Sequence, residues 1–464
     1  MARRRRSEPT TQRAQAIQGF SVAALNYRLP IFMVLCLLLG GTSQDIVSGK
    51  AVLYALSLAL IAWVLIKDGP RTKVYPNGLG RALTGPIIIL LAAIIVFAVY
   101  LIPLPADTWV NLPGRNVVKS GYEQIGMDLP ALPLSLTPDY TFNSLFDFLP
   151  PLAILLTAAL TRSARELMLT LYAIVLVTVI AFPIGLMQTF SPGQFKFYEI
   201  TNIGVPVGFF SNSNHQAIFN VMAVPLAIYI ASRGYRRLKS NEDGVPKIAL
   251  AAMALILMIT SVLLAESFAA FGLIIVVSVL SLPMVFSKQL KRPKVMMGVV
   301  TALAIFAAIT ILKAGDLQSL FSDKLNDSES VSRSIIYSNT VDAIKSMGWI
   351  GSGPGSFYDV YLMYENRATM TTTFANQAHN DPLQLILELG VFGAGLMAAF
   401  ALWFITACVK GVTASRRSRK LILILLVSIL AVILHSLVDY PLRTIALASF
   451  TAFNVGYVSR LLRG

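Results

Sequence analysis

The 464 residues contain three histidines, His215, His379 and His435. Imidazole is the side chain best suited to take up a proton near neutral pH. Each stands in polar company: Asn212, Asn214 and Gln216 beside His215; Asn376, Gln377, Asn380 and Asp381 beside His379; Ser436, Asp439 and Arg443 beside His435. In AHNDPLQLILELG (378–390), Asn380 or Asp381 can cap a helix whose first turn contains Pro382, leaving His379 just ahead of the helix start. Glu388 is a second catalytic candidate. It stands about 13 Å further up the helix axis at 1.5 Å per residue, so it is not the direct partner of His379. In HSLVDYPLR (435–443), His435 and Asp439 are spaced to share a helix face. Arg443 is placed to meet a phosphate at a membrane surface. Glu266 is the sole acid in 249–286, and an ionisable group at membrane depth is a functional candidate by default. Structural readings compete with each of these: a histidine that helps cap a helix, an ion pair that fixes a turn, a solvated glutamate at a tight connection. The run GSGPGS (351–356) has no preceding strand and no following Gly-Lys-Ser/Thr, so it reads as turn chemistry and not as a nucleotide loop. Cys36 and Cys408 have no second ligand nearby, so neither a disulfide nor a metal site is expected.

These residues must be positioned by elements of an unusual composition. Hydrophobic residues make up 56% and charged ones only 13%, against about 25% charged in soluble domains. Apolar runs near the roughly 20 residues of a spanning helix occur at 30–47, 50–66, 84–104, 146–161, 167–190, 216–232, 248–265, 268–287, 295–314, 383–408, 421–438 and 443–459. The nearly continuous run 248–287 is split between Glu266 and Ser267, because forty apolar residues are too long for one crossing. The expectation is an all-α polytopic membrane protein with about 12 transmembrane helices.

Charge tests that layout. With the N-terminus in the cytoplasm, the segments 1–29, 67–83, 162–166, 233–247, 288–294, 410–420 and 460–464 hold 28 of the 38 Lys and Arg but 5 of the 23 Asp and Glu. Positive residues gather on the cytoplasmic side, so the net charge of +15 reads as orientation and not as a nucleic-acid surface. All three histidines then fall on the outer side. The expected organisation is a basic cytoplasmic tail (1–29), transmembrane helices 1–9 (30–314), a periplasmic loop domain (315–382) and helices 10–12 (383–464), with both termini cytoplasmic.

Three outward segments, 105–145, 191–215 and 315–382, are long enough to work. The first is rich in proline and reads as an irregular lid. The third is far above the usual connection length, yet residues 333–347 place Ile336, Thr340, Ala343 and Met347 at helical spacing, with Ile344 adjacent. A turn-rich stretch from Gly348 to Gly355 follows, so a folded domain on the membrane face is expected. Phe195, Phe197, Tyr198, Phe209, Phe210, Tyr358, Tyr361 and Tyr364 lie in outward segments, where interface anchoring is favoured over a sugar platform.

Four segments taken together resemble the O-antigen ligase and Wzy-type polymerase family of bacterial envelope glycan transferases: 208–227 (GFFSNSNHQAIFNVMAVPLA), 332–357 (SRSIIYSNTVDAIKSMGWIGSGPGSF), 379–395 (HNDPLQLILELGVFGAG) and 435–443 (HSLVDYPLR). They occur in the family's order and span most of the C-terminal 260 residues. The resemblance implies a GT-C-like, metal-independent, inverting glycosyltransferase of the inner membrane that needs no cofactor. Its donor would be an oligosaccharide on undecaprenyl diphosphate. Its acceptor would be a sugar hydroxyl, on another lipid-linked chain for a polymerase of O-antigen or exopolysaccharide, or on lipid A–core for a ligase. His379 is then the base on the acceptor, and Arg333, the most plausible cation, binds the diphosphate. Many relatives carry Arg where this chain has Ser213 and Ser-Arg where it has Ser267 and Phe268, so diphosphate binding falls to Arg333, Arg367 and Arg443. His215, Asn214, His435, Asp439 and Glu266 complete the expected substrate contacts. Two other classes compete: a transporter, which predicts matching broken helices in two halves, and a non-enzymatic scaffold that works with other polysaccharide assembly proteins.

Overall fold

A computed structural model describes residues 26–44, 48–67, 85–161, 163–240, 243–290, 333–366, 370 and 374–463. The expected span at 295–314 and Arg367 lie outside the described residues. The helices are α1 (Arg28–Leu39), α2 (Ser48–Lys67), α3 (Gly85–Val99), α4 (Ala106–Trp109), α5 (Asn116–Gln124), α6 (Pro138–Asp147), α7 (Leu149–Leu160), α8 (Ala164–Phe190) and α9 (Ser213–Lys239). They continue as α10 (Val245–Leu264), α11 (Phe268–Leu290), α12 (Arg333–Met347), α13 (Phe357–Tyr364), α14 (Asp381–Thr413), α15 (Arg419–His435) and α16 (Ile445–Leu461). Two-residue strands β1 (Pro103–Leu104) and β2 (Leu132–Pro133) pair antiparallel.

Among the described residues seven helical stretches are long and apolar enough to cross a membrane, one of them α6 and α7 taken together as Pro138–Leu160. The protein is therefore a helical polytopic membrane protein, with seven candidate spans among the described residues, which leave out the run at 295–314. Four further expected runs form shorter helices. The runs at 30–47 and 84–104 form helices of only 12 and 15 residues, and those at 421–438 and 443–459 form helices of 17, at the lower edge of what a bilayer needs. Glu266 lies in the three-residue connection between α10 and α11, with φ at +55°, so the division of 248–287 there holds.

α9 is the central pillar. Of its apolar window 89% is buried, and α10, α11 and α15 pack on it. Small polar groups stitch these helices together: Asn220 donates to Ser261 at 2.9 Å, Ser428 to the Met222 carbonyl at 2.7 Å, and Asn454 to Ser428 at 2.9 Å.

The loop before α14 folds as its periodicity predicts. α12 buries Ile336, Thr340, Ala343 and Met347, and its apolar members join Phe357, Val360, Tyr361 and Leu387 in a second, smaller core. That core docks through a break in α14. Gly390 has φ +53° and ψ −129°, inside an otherwise continuous helix. The interruption frees two carbonyls and an amide, and the neighbouring loop satisfies them: Ser352 N–H donates to the Leu387 carbonyl at 3.0 Å and Gly353 N–H to the Glu388 carbonyl at 2.8 Å, while Val391 N–H donates to the Trp349 carbonyl at 2.8 Å. The GSGPGS run is thus a backbone dock for a broken helix.

The 105–145 segment is not the irregular lid expected. Its backbone is tied down, with Leu136 donating to the Ser352 carbonyl at 2.9 Å and the Trp109 indole to Pro130 at 2.9 Å. The buried Arg115 guanidinium donates to Leu134 at 2.5 Å and to Gly351 at 3.4 Å. Burial brings that guanidinium down to about 10.

Candidate functional site

The histidines converge at one end of the bundle, contributed by α9, by the residue ahead of α14 and by the last residue of α15. Asn380 caps α14, its side chain accepting from the Leu383 amide at 2.9 Å. This leaves His379 just outside the helix in a left-handed conformation, φ +48°, which a non-glycine residue adopts only when its surroundings hold it there. The Tyr337 hydroxyl from α12 helps to do so, donating to the His379 carbonyl at 2.8 Å.

Asp439, in the turn between α15 and α16, is the organising group. Its Oδ1 lies 3.2 Å from His379 Nδ1 and its Oδ2 3.6 Å from His435 Nε2. Burial pushes this carboxyl up, but the flanking imidazoles of His379 and His435 outweigh it and hold Asp439 well below the usual carboxylate range. A carboxylate at Nδ1 favours the tautomer with the proton there, which leaves Nε2 of His379 as the acceptor. His435 and Asp439 are neighbours as their spacing suggested, although α15 ends at His435 and a turn, not a helix, brings them together.

Tyr440 is the residue that the sequence reading missed. Its ring stands edge-on to both His215 and His379, with centroid separations of 4.9 and 4.8 Å. Its hydroxyl accepts from Asn212 at 3.4 Å and Asn376 at 3.3 Å. Burial, then the Asp439 charge, pushes this phenol up to about 12, so it is a neutral spacer between two imidazoles. His215 is fully buried, and neither of its ring nitrogens has a hydrogen-bond partner among the described residues. Of the NSNH segment it is Asn212, not Asn214, whose side chain reaches Tyr440; the Asn214 amide instead donates to Asn212 at 2.8 Å.

Beside this cluster lies a cavity of about 220 Å³, lined by Asn376, Gln377, Gln384, Glu388 and Arg443 on one side and by Asp147, Tyr140, Phe357, Tyr358 and Phe374 among the others. Glu388 and Arg443 face each other across 2.9 Å, with Gln384 donating to Glu388 at 3.0 Å. Arg443 also lies 3.8 Å from Asp381. It precedes α16 in a short 3-10 turn, one step earlier than the helix start expected for it. Burial opposes its charge, yet Glu388 and Asp381 hold it raised. Asp147 is held at 3.2 Å by Lys50 and at 2.6 Å by the Tyr54 hydroxyl, two groups that no sequence pattern flagged.

Arg333 begins α12 at the same end of the molecule. Burial raises the phenols of Tyr337 and Tyr440, and the Arg333 charge is near enough to pull both back. Glu266 is exposed and makes no hydrogen bond or ion pair with this cluster among the described residues. The aromatic residues divide: Phe209, Phe210, Tyr198 and Tyr361 are core, whereas Tyr358 faces the cavity.

The family model described as O-antigen ligase matches residues 253–398, which include α12, α13, His379 and Glu388 but not His215, Asp439 or Arg443. The resemblance to the O-antigen ligase and Wzy-type family therefore stands. No curated protein matches the chain.

Proposed function

From the match of residues 253–398 to the O-antigen ligase family model, we propose that this membrane protein transfers an oligosaccharide from undecaprenyl diphosphate to a sugar hydroxyl at the periplasmic face of a bacterial inner membrane. The observation that carries this reading is the His379–Asp439 pair at 3.2 Å beside a cavity lined by aromatic, amide and carboxylate side chains. Such a lining suits a carbohydrate, whose C–H faces pack on rings while its hydroxyls meet amides and acids.

In the proposed reaction Nε2 of His379 takes the proton from the acceptor hydroxyl as its oxygen attacks the anomeric carbon. The carbon–oxygen bond to the diphosphate breaks on the opposite face, so the configuration inverts and the polyprenyl diphosphate leaves with the bonding pair. Asp439 stabilises the imidazolium that forms, and the proton then passes to solvent. Arg333 meets the charge that develops on the leaving diphosphate. Glu388 keeps Arg443 oriented toward the cavity, where the guanidinium has a remaining edge for substrate. In this reading the acceptor is a hydroxyl of another lipid-linked chain, with lipid A–core as the alternative.

The test is purified protein with lipid-linked donor, supplied once with a second lipid-linked chain and once with lipid A–core. Wild type should extend or ligate glycan. His379→Ala should insert and melt normally but lose the activity. Full activity in that variant removes the mechanism, and transport of donor without transfer would favour the transporter class.

A further inference from the structure

A second cavity, of about 670 Å³, lies at the opposite end of the bundle. Its walls come from the C-terminal turns of α9 (Ser232, Tyr235, Arg236, Lys239), the C-terminal part of α11 (Pro283, Met284, Val285, Phe286), the start of α15 (Arg419, Lys420, Leu423) and Arg416 in the connection before it. The separation from the histidine cluster follows from helix rise. His215 and Arg236 stand on the same helix, about 30 Å apart along its axis, and His435 and Lys420 about 22 Å apart on α15.

Three features distinguish this cavity from a general basic surface. Among the described residues, five of its lining side chains are cations and none is an acid. The cavity exists because α11 is broken: Pro283 sits within the helix and Phe286 leaves helical geometry at φ −110° and ψ 28°. Lys420 Nζ reaches across to donate to the Val285 carbonyl at 2.9 Å, and the Tyr235 and Phe286 rings meet edge-on at 6.5 Å, so the walls are fixed to one another. Lastly, the lining is two-sided, with cations on and just ahead of α15 and on α9, and apolar Pro283, Met284, Val285 and Phe286 on α11.

A phosphate with an apolar continuation fits such walls better than a bare anion, and the volume falls in the roughly 300–1,000 Å³ of ligand pockets. Basic pockets between membrane helices take anionic lipid headgroups. We propose that this cavity is a binding site for the phosphate headgroup of an anionic phospholipid, which seats its glycerol and first acyl carbons against the broken end of α11. The site is independent of the transfer chemistry at the other end of the bundle.

The test uses the full chain in phosphatidylcholine nanodiscs doped with phosphatidylglycerol, with retained lipid counted by native mass spectrometry. Arg236, Lys239 and Arg416 are exposed, so changing all three to Gln leaves the Lys420 contact and the fold intact. At roughly fivefold per juxtamembrane charge, the triple variant should retain phosphatidylglycerol about a hundredfold more weakly, with phosphatidylcholine unchanged. A control triple of Arg165→Gln, Lys410→Gln and Arg417→Gln, all exposed and outside the cavity lining, should retain it like wild type. Equal retention by wild type and the cavity variant overturns the proposal, as does an equal loss in the control triple. Inorganic phosphate is the third arm. If it displaces the bound lipid only weakly the headgroup reading stands, and if it protects against thermal unfolding where phosphatidylglycerol does not, the lipid is the wrong ligand.

Discussion

Asp439→Asn is the sharpest perturbation of the proposed catalytic pair. The amide has nearly the shape of the carboxylate and retains an oxygen for the Tyr440 backbone N–H, which donates to Oδ1 at 3.0 Å. What it removes is the charge facing His379 Nδ1 at 3.2 Å. A hydrogen bond to a charged group contributes about 1.5–3 kcal/mol. If that interaction strengthens as the imidazole becomes imidazolium, its loss raises the barrier by a similar amount, which is about a 10- to 150-fold lower rate at 1.36 kcal/mol per decade. The assay is initial rate of glycan transfer, run beside a melting curve in detergent to show that the variant is folded. A rate within twofold of wild type in a folded variant would refute the role given to Asp439.

Other expectations follow from the same geometry. A methyl group at Gly390 would lie 1.9 Å from the Trp349 carbonyl oxygen in a left-handed backbone, so Gly390→Ala should destabilise by at least about 1–3 kcal/mol, read as a lowered melting temperature in detergent; an unchanged value argues against the helix break. Arg443→Met leaves the fully buried Glu388 without its cation and should cost about 3 kcal/mol. Adding Glu388→Leu should recover the melting temperature without recovering transfer, whereas recovery of both would make the pair purely structural. Because the native Asp439 carboxyl lies well below its ordinary value, its ionised form contributes stability above about pH 4 that is lost as pH falls through the depressed native value. Wild type should therefore lose melting temperature on acidification below about pH 4 more steeply than Asp439→Asn, and parallel curves would contradict the buried anion.

Several elements were legible because they rest on local rules. The helix over Arg333–Met347 buries the four residues its periodicity selects. Asn380 caps α14, and the division between Glu266 and Ser267 falls at a turn with positive φ. Each depends on a short stretch of chain: apolar spacing, a capping side chain, a run too long for one crossing. Helix lengths were less legible, since hydropathy alone does not tell a 12-residue helix such as α1 from the core of a full span.

The site shows the division most clearly. That His379 would stand free at a helix start, and that His435 would neighbour Asp439, followed from spacing within a few residues. That Asp439 would bond His379 from 60 positions away, that Tyr440 would separate two imidazoles, and that Arg443 would pair with Glu388 did not. These partners lie on different helices, and which faces meet depends on how α9, α14, α15 and α16 pack. Composition and periodicity settle that a segment becomes a helix and which stripe avoids lipid or water. The matching of one stripe to another is a property of the whole bundle, because only there do side-chain shapes and buried polar groups have to be satisfied all at once.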